Sequence, residues 1–277
     1  MGKLRVIKAS GLSTVQDKGR DGYRQFGIPQ SGAMDLKSMK EANYLVGNPK
    51  EHPVIEFALS GMKLEALEDT IIGVAGANVN WNGKLIEQTT IQLTKGDMVD
   101  ISSPRKVYGY LGIGGMMKTK NDFGSYSTYL TAGFGGIDGR PLMKEDVLET
   151  IDAIPSEKRT ISVVDDVEVI QSIRIEKGPE WNLLQESPED KIFKVEPSSN
   201  RIGIRLSGTT ISCDGSEITS SAVIPGTIQL PPNGEPIILM NDCQTTGGYP
   251  RIGKVVDEDM GKLSQVPHMN QVELVLI

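Results

Sequence analysis

The sequence predicts a mainly β protein made of two β-barrel-like modules with few, short helices. Three observations predict it. Short alternations of apolar and polar residues recur along the chain, bounded by Gly, Pro, Asn or Asp, as half-buried strands require. Only one or two helices are expected, the clearest helical period being at MDLKSMKEANYL. The 277 residues suffice for two cores, and a charged, proline-bearing segment at 152–169, DAIPSEKRTISVVDDVEV, divides them. The modules are therefore placed at 1–160 and 161–277.

Residues 3–8, KLRVIK, alternate as a strand, with Leu4 and Val6 on one face. Next comes 11–35, GLSTVQDKGRDGYRQFGIPQSGAMD, which holds few core-sized apolar residues and reads as a loop system carried by strands. Gln16, Asp17, Arg20 and Tyr23 lie close together in it. A guanidinium fork beside amide and phenol groups suits a carboxylate or phosphate, although a solvated loop with one structural Arg–Asp pair uses the same residues. The period then changes. MDLKSMKEANYL predicts a helix over 35–45, capped by Asp35, with Leu36, Met39, Ala42 and Asn43 on one stripe and Gly47-Asn48-Pro49 ending it. Its N-terminus, directly after the loop, favours an anion. Asp35 can serve as the cap or as a general base.

Strands dominate from 53 to 115: PVIEFAL, MKLEAL, TIIGVAGANV, KLIEQTTIQL, MVDISS and YGYLGIGG, with Asn82-Gly83 at a hairpin tip. Glu56, between Ile55 and Phe57, suits a buried ion pair with Arg20 or Arg24, or a site. Asn78 ends an apolar strand, where its amide can orient a substrate or start a turn. Residues 116–149 are rich in Gly, Ser and Thr; GSYST and AGFGGIDGR can wrap a ligand or close a barrel. Past the divider, 173–185 is similar to 4–16 and RIGI (201–204) to RDGY (20–23), a sign of two related modules.

The last quarter gives strands at Ile224–Gln229, IILM and QVELVLI, and a second polar cluster, NDCQTTGGYPRIGKVV. It offers Gln244, Thr245, Thr246, Gly247, Tyr249 and Arg251. Successive N–H groups near Gly247-Gly248 can form an anion nest, or the stretch can be a wide turn. Gly248 to Lys254 spells most of a P-loop, but Val255-Val256 follow where a Ser or Thr and a helix are needed.

Composition excludes other classes. Net charge is −7 with no basic patch, which argues against nucleic acid. No apolar run reaches membrane-spanning length, and MGKLRVIKAS has no leader-like core, so a cytoplasmic protein is expected. Cys213 and Cys243 are expected to be free, and His52 and His268 support neither a His triad nor a metal site, so no metal is expected.

VQDKGRDGYRQFGIPQSGAMD, Ala42-Asn43, Val46-Gly47-Asn48 and Ile55-Glu56 resemble the family that includes the C-type subunits of 5-oxoprolinase, the KipA-type proteins and the second subunit of allophanate hydrolase. GSYST with AGFGG and Gly139-Arg140, IPGTIQLPPNGEPIILM and QTTGGYPRIG continue the resemblance in order over nearly the whole chain. The same module forms part of the carboxyltransferase region of urea carboxylase. The resemblance implies cyclophilin-like β modules and a subunit of an ATP-dependent 5-oxoprolinase. Its implied partners are a smaller B-type (KipI-like) subunit and a larger A-type subunit, and together they open 5-oxo-L-proline to L-glutamate. Phosphorylating the lactam carbonyl oxygen makes an unreactive amide open to water. ATP, with Mg, is expected to be shared with the partner, and no biotin is expected on this chain, because Met117-Lys118 and Met143-Lys144 lack a carrier context. On this reading Gln16, Arg20 and Tyr23 are catalytic, Arg20 for an anion and the other two for orientation. Asn78, Gln244, Thr245, Thr246, Gly247, Tyr249 and Arg251 bind substrate or phosphate. Tyr126 stands where the family has Arg, and 187–191 is shorter than the family's helical segment. Two alternatives remain: a KipA-like regulator that binds an inhibitor of a sensor histidine kinase, and a carboxyltransferase component of a urea carboxylase-like system.

Overall fold

The computed structural model of the protein describes residues 2–152, 157–162, 170–215 and 217–277. The chain forms two compact units: Met1–Arg20 with Ser31–Asp165, and Asp21–Gln30 with Asp166–Ile277. The glycine-rich stretch 11–35 is thus divided, its middle ten residues belonging to the second unit. Of the expected divider, 153–156 and 163–169 lie outside the described residues, while Thr160 bridges Thr89.

The first unit contains two sheets. The seven-stranded one runs Met116–Met117, Val147–Ile151, Gly2–Lys8, Met62–Ala66, Met98–Ile101, Asn78–Trp81, Lys84–Glu87. The five-stranded one runs Thr14–Gln16, Val54–Ala58, Tyr108–Ile113, Thr70–Ala75, Thr90–Leu93. Alternate residues of Gly2–Lys8 are buried, as the sequence period requires. Leu4, Val6, Leu64, Val99 and Ile101 of the first sheet share one core with Val15, Ile55, Phe57, Ile72 and Leu111 of the second. Each such side chain contributes about 1.5–3 kcal/mol by leaving water.

Two runs expected as single strands are each split, and their halves go to different sheets. TIIGVAGANV divides at Gly76, which has φ +78°, and KLIEQTTIQL divides where Gln88 has φ +36°. Positive φ reverses the chain locally, and hydrophobic alternation alone carries no trace of it.

The helix Leu36–Leu45 forms as expected, and the Asp35 carboxylate accepts from the N–H groups of Lys37 and Ser38 at 3.0 and 3.2 Å. Met39, Ala42, Asn43 and Leu45 are buried, but Leu36 faces solvent. The helix lies directly on the five-stranded sheet because two sheet positions are glycine. A Cβ on Gly112 would stand 2.5 Å from the Ala42 carbonyl oxygen, and one on Gly73 2.4 Å from the Leu45 Cβ.

The second unit is a closed barrel in the order Ile170–Lys177, Arg251–Val255, Thr227–Gln229, Ile237–Leu239, Gly203–Ser207, Ile192–Val195, Gln271–Leu276. A parallel pair, Ile170–Lys177 with Gln271–Leu276, closes it. Gly2–Lys8 pairs antiparallel on both sides, so the likeness of 4–16 to 173–185 does not extend to strand pairing. The strand expected at Ile224–Gln229 begins only at Thr227, after Gly226 turns with φ +88°. A helix at Asp257–Ser264 was not legible in the sequence, being short and holding Gly261. It is fixed by Asp259, which takes the Arg174 fork at 3.0 and 2.7 Å. No helix among the described residues is long and apolar enough to cross a membrane.

Gly112→Ala should destabilise the protein by about 1–3 kcal/mol, because backbone rather than a flexible side chain blocks the new methyl. A urea midpoint unchanged from wild type would contradict this packing.

Candidate functional site

Two polar clusters stand out, one in each unit. The first is organised by Asp17, just past the strand Thr14–Gln16 and 4% exposed. One carboxylate oxygen accepts from the Gly19 N–H at 2.8 Å, the Ser125 hydroxyl at 2.6 Å and the Ser127 hydroxyl at 2.5 Å. The other accepts from the Tyr126 N–H at 2.7 Å. Ser127 Oγ in turn accepts from the Asp17 N–H at 3.0 Å. Asp17 therefore ties the 17–20 loop to the GSYST segment. Tyr126 contributes its backbone here, and its ring packs on the unit's core.

Arg20 is 2% exposed. Its Nε donates to the Asp122 carbonyl at 3.2 Å, its Nη2 donates to the Ser127 carbonyl, and the guanidinium lies 4.6 Å from the Phe134 ring centroid. Gly135 permits this, since a Cβ there would lie 2.7 Å from Arg20 Nη2. Two of the three guanidinium nitrogens thus brace the loops. Gln16 is wholly buried. Its Nε2 donates to Thr14 Oγ1 at 3.0 Å and to the Thr128 carbonyl at 3.2 Å, while its Oε1 has no hydrogen-bond partner among the described residues. Tyr23 belongs to the second unit, where it precedes the short turn Arg24–Phe26 with its ring 6.5 Å from that of Phe26.

Glu56 has partners that the sequence did not indicate. Its Oε2 accepts from the Met34 N–H at 2.7 Å and the Tyr110 hydroxyl at 2.8 Å, and Tyr110 Oη accepts from the Asp35 N–H at 2.8 Å. Burial, then the Glu56 charge, pushes the Tyr110 phenol well above its ordinary value, so it remains a donor. The one sequence signal was a polar tip in the otherwise apolar strand YGYLGI. The helix N-terminus expected to attract an anion already holds one, the Asp35 carboxylate. Asn78 opens a strand instead of a turn, and its Oδ1 accepts from Arg105 at 3.1 Å.

The second cluster lies around QTTGG in the barrel unit. Thr246–Gly247 pairs with Ser221–Ala222, and the Gly248 carbonyl accepts from the Ile218 N–H at 2.8 Å. The Thr245 carbonyl accepts from the Val223 N–H at 3.1 Å. Neither Gly247 nor Gly248 has positive φ, so the expected nest is absent and a short ladder takes its place. Arg251 is committed to Glu180: Nε and Nη2 reach the two carboxylate oxygens at 2.9 and 2.8 Å. That hydrogen bond holds the Glu180 carboxyl below its ordinary 4.5. The P-loop look-alike leads into the strand Arg251–Val255, with Lys254 paired to Asp257 at 2.7 Å. Gln244 donates from Nε2 to Gln229 Oε1 at 3.3 Å, and Thr246 and Tyr249 are exposed. Sequence reasoning missed Arg24 as a member of this cluster. Its Nη2 donates to the Val223 and Gln244 carbonyls at 2.5 and 2.8 Å, which only the folded chain reveals.

Both cysteines are free. Among the described residues no three His, Cys, Asp or Glu side chains gather as a metal site would require. A groove beside Gly136 carries Lys118 and Lys120, but these are paired with Glu149 and Asp138.

The family described as carboxyltransferase domain, subdomain A and B, matches residues 26–276, and the chain belongs to it. The chain is 34% identical to the C subunit of 5-oxoprolinase from Escherichia coli (strain K12), over 95% of its own length and 88% of that protein's. It is 30% identical to the urea amidolyase of Lachancea kluyveri, covering 99% of this chain but 17% of the relative. The solved structure of TTHA0988 superposes with TM-score 0.90 at 28% identity over 99% of this chain, which spans about half, 56%, of that one. The K. lactis urea amidolyase structure superposes with TM-score 0.90 at 25% identity, covering 19% of that chain.

Asp17→Ala should cost at least about 3 kcal/mol, since it orphans several buried donors. A melting temperature within a degree of wild type would remove Asp17 from its organising role. The Glu180–Arg251 pair carries a pH signature. A carboxylate held below its ordinary value stabilises the fold above that value and loses the contribution as pH falls through the folded one. Glu180→Gln should therefore be less stable than wild type at neutral pH, with the gap narrowing below pH 4.5. A gap independent of pH in urea titrations would contradict this.

Proposed function

We propose that this chain is the C-type subunit of an ATP-dependent 5-oxoprolinase and acts with partner subunits to open 5-oxo-L-proline to L-glutamate. The observation that carries the reading is the match to the C subunit of the Escherichia coli 5-oxoprolinase, which runs along 95% of this chain and 88% of the relative. The urea amidolyase likeness covers a small part of a much longer protein.

The chain's own residues are matched to part of this task. They do not fit a triphosphate cradle, because the P-loop look-alike continues as a strand and Arg251 is neutralised by Glu180. ATP is accordingly assigned mainly to a partner subunit. This subunit's share is holding the lactam. The buried loops around Asp17 and Arg20 act as scaffold, and the barrel loops offer the donors. The carboxyltransferase reading keeps some support from the family itself and from the shared urea amidolyase fold.

Co-purified with its B-type and A-type partners, the chain should release ADP only when 5-oxo-L-proline is present, and omitting the chain should abolish the release. ADP release indifferent to the lactam would contradict the proposal. Carboxyl transfer from a biotinylated carrier to urea would replace it with the second reading.

A further inference from the structure

The barrel unit treats its arginines unequally. Arg174, Arg201 and Arg251 are each forked onto a carboxylate, that of Asp259, Asp242 and Glu180 respectively. Arg24, like the exposed Arg205, makes no ion pair with any described residue. Its Nη2 is fixed by the carbonyls of Val223 and Gln244 and lies 3.7 Å from Cys243 Sγ. Its Nη1 is buried and has no hydrogen-bond partner among the described residues.

A second orphan donor belongs to the same cluster. Gln229 is 2% exposed, and its Nε2 also has no partner among the described residues. Its Oε1 is held by Gln244 Nε2, so residue Gln244 touches both side chains: its carbonyl fixes Arg24, and its amide fixes Gln229. Gln229 Nε2 points at Gly247, where a Cβ would approach to 2.4 Å. Glycine there makes room for the amide. Buried donors without acceptors are rare in native interiors, and two around one residue, one of them cationic, call for an acidic oxygen ligand.

We infer that Arg24 Nη1 and Gln229 Nε2 are the anchor for a small carboxylate, namely that of the lactam substrate. This assignment rests on the 5-oxoprolinase reading for the identity of the ligand. It replaces Arg251, whose fork is already filled, and gives Gln244 the role of holding both donors in place.

The test is calorimetric titration of the co-purified complex with 5-oxo-L-proline, its carboxamide and inorganic phosphate. The acid should bind about tenfold or more tightly than the carboxamide, the size of one charge-assisted hydrogen bond. Arg24→Lys keeps the charge and loses the fork, and Gln229→Met removes the amide at similar volume. Each should weaken acid binding about tenfold while leaving carboxamide affinity nearly unchanged, with melting temperatures reporting intact folding. Equal affinity for acid and carboxamide, or unaltered acid binding in both folded variants, would overturn the assignment. So would a site that takes phosphate but not the lactam acid. Failures of the two proposals look different. Acid-selective binding lost in both variants, without lactam-dependent ADP release, keeps the anchor and removes the enzyme reading. Lactam-dependent release with no acid selectivity does the reverse.

Discussion

A carboxylate taken out of water must be met by donors, and Asp17 is met by two hydroxyls and two backbone N–H groups. The charge would otherwise cost several kcal/mol to bury, on the order of the whole net stability of a domain. The loops it joins have almost no apolar side chains of their own, so the first unit's polar end depends on this clasp. Arg20 repeats the logic with opposite sign, giving Nε and Nη2 to carbonyls and its face to Phe134. The Glu56–Tyr110–Asp35 chain adds a third, which fixes the start of the helix.

These three arrangements engage Asp17, Arg20, Glu56 and Asp35 within the chain. In the barrel, three arginines are neutralised within the chain, while Arg24 and Gln229 keep donors that no described residue answers.

Much of the fold was legible because it rests on local rules. Leu4 and Val6 alternate, Asp35 caps a helix whose stripe includes Met39 and Ala42, and the final QVELVL is a strand. The resemblance in 11–35 and 244–253 pointed to the two loops around which the polar clusters form. What failed depends on distance in sequence. The partner of Arg251 is Glu180, 71 residues away, and the partners of Arg24 are about two hundred residues on. No spacing rule predicts such meetings. The splits at Gly76 and Gln88 were hidden for another reason: hydrophobic alternation reports which face is buried but not which sheet receives it. The helix Asp257–Ser264 was missed because eight residues with a glycine give too weak a period.

The most direct measurement is a crystal structure of the complex with 5-oxo-L-proline bound. The account predicts the lactam carboxylate against Arg24 Nη1 and Gln229 Nε2, with Arg251 still on Glu180 and Asp17 still clasped. A lactam whose carboxylate is held by Arg251 or Arg20, with the Arg24 and Gln229 donors facing only water, would contradict it.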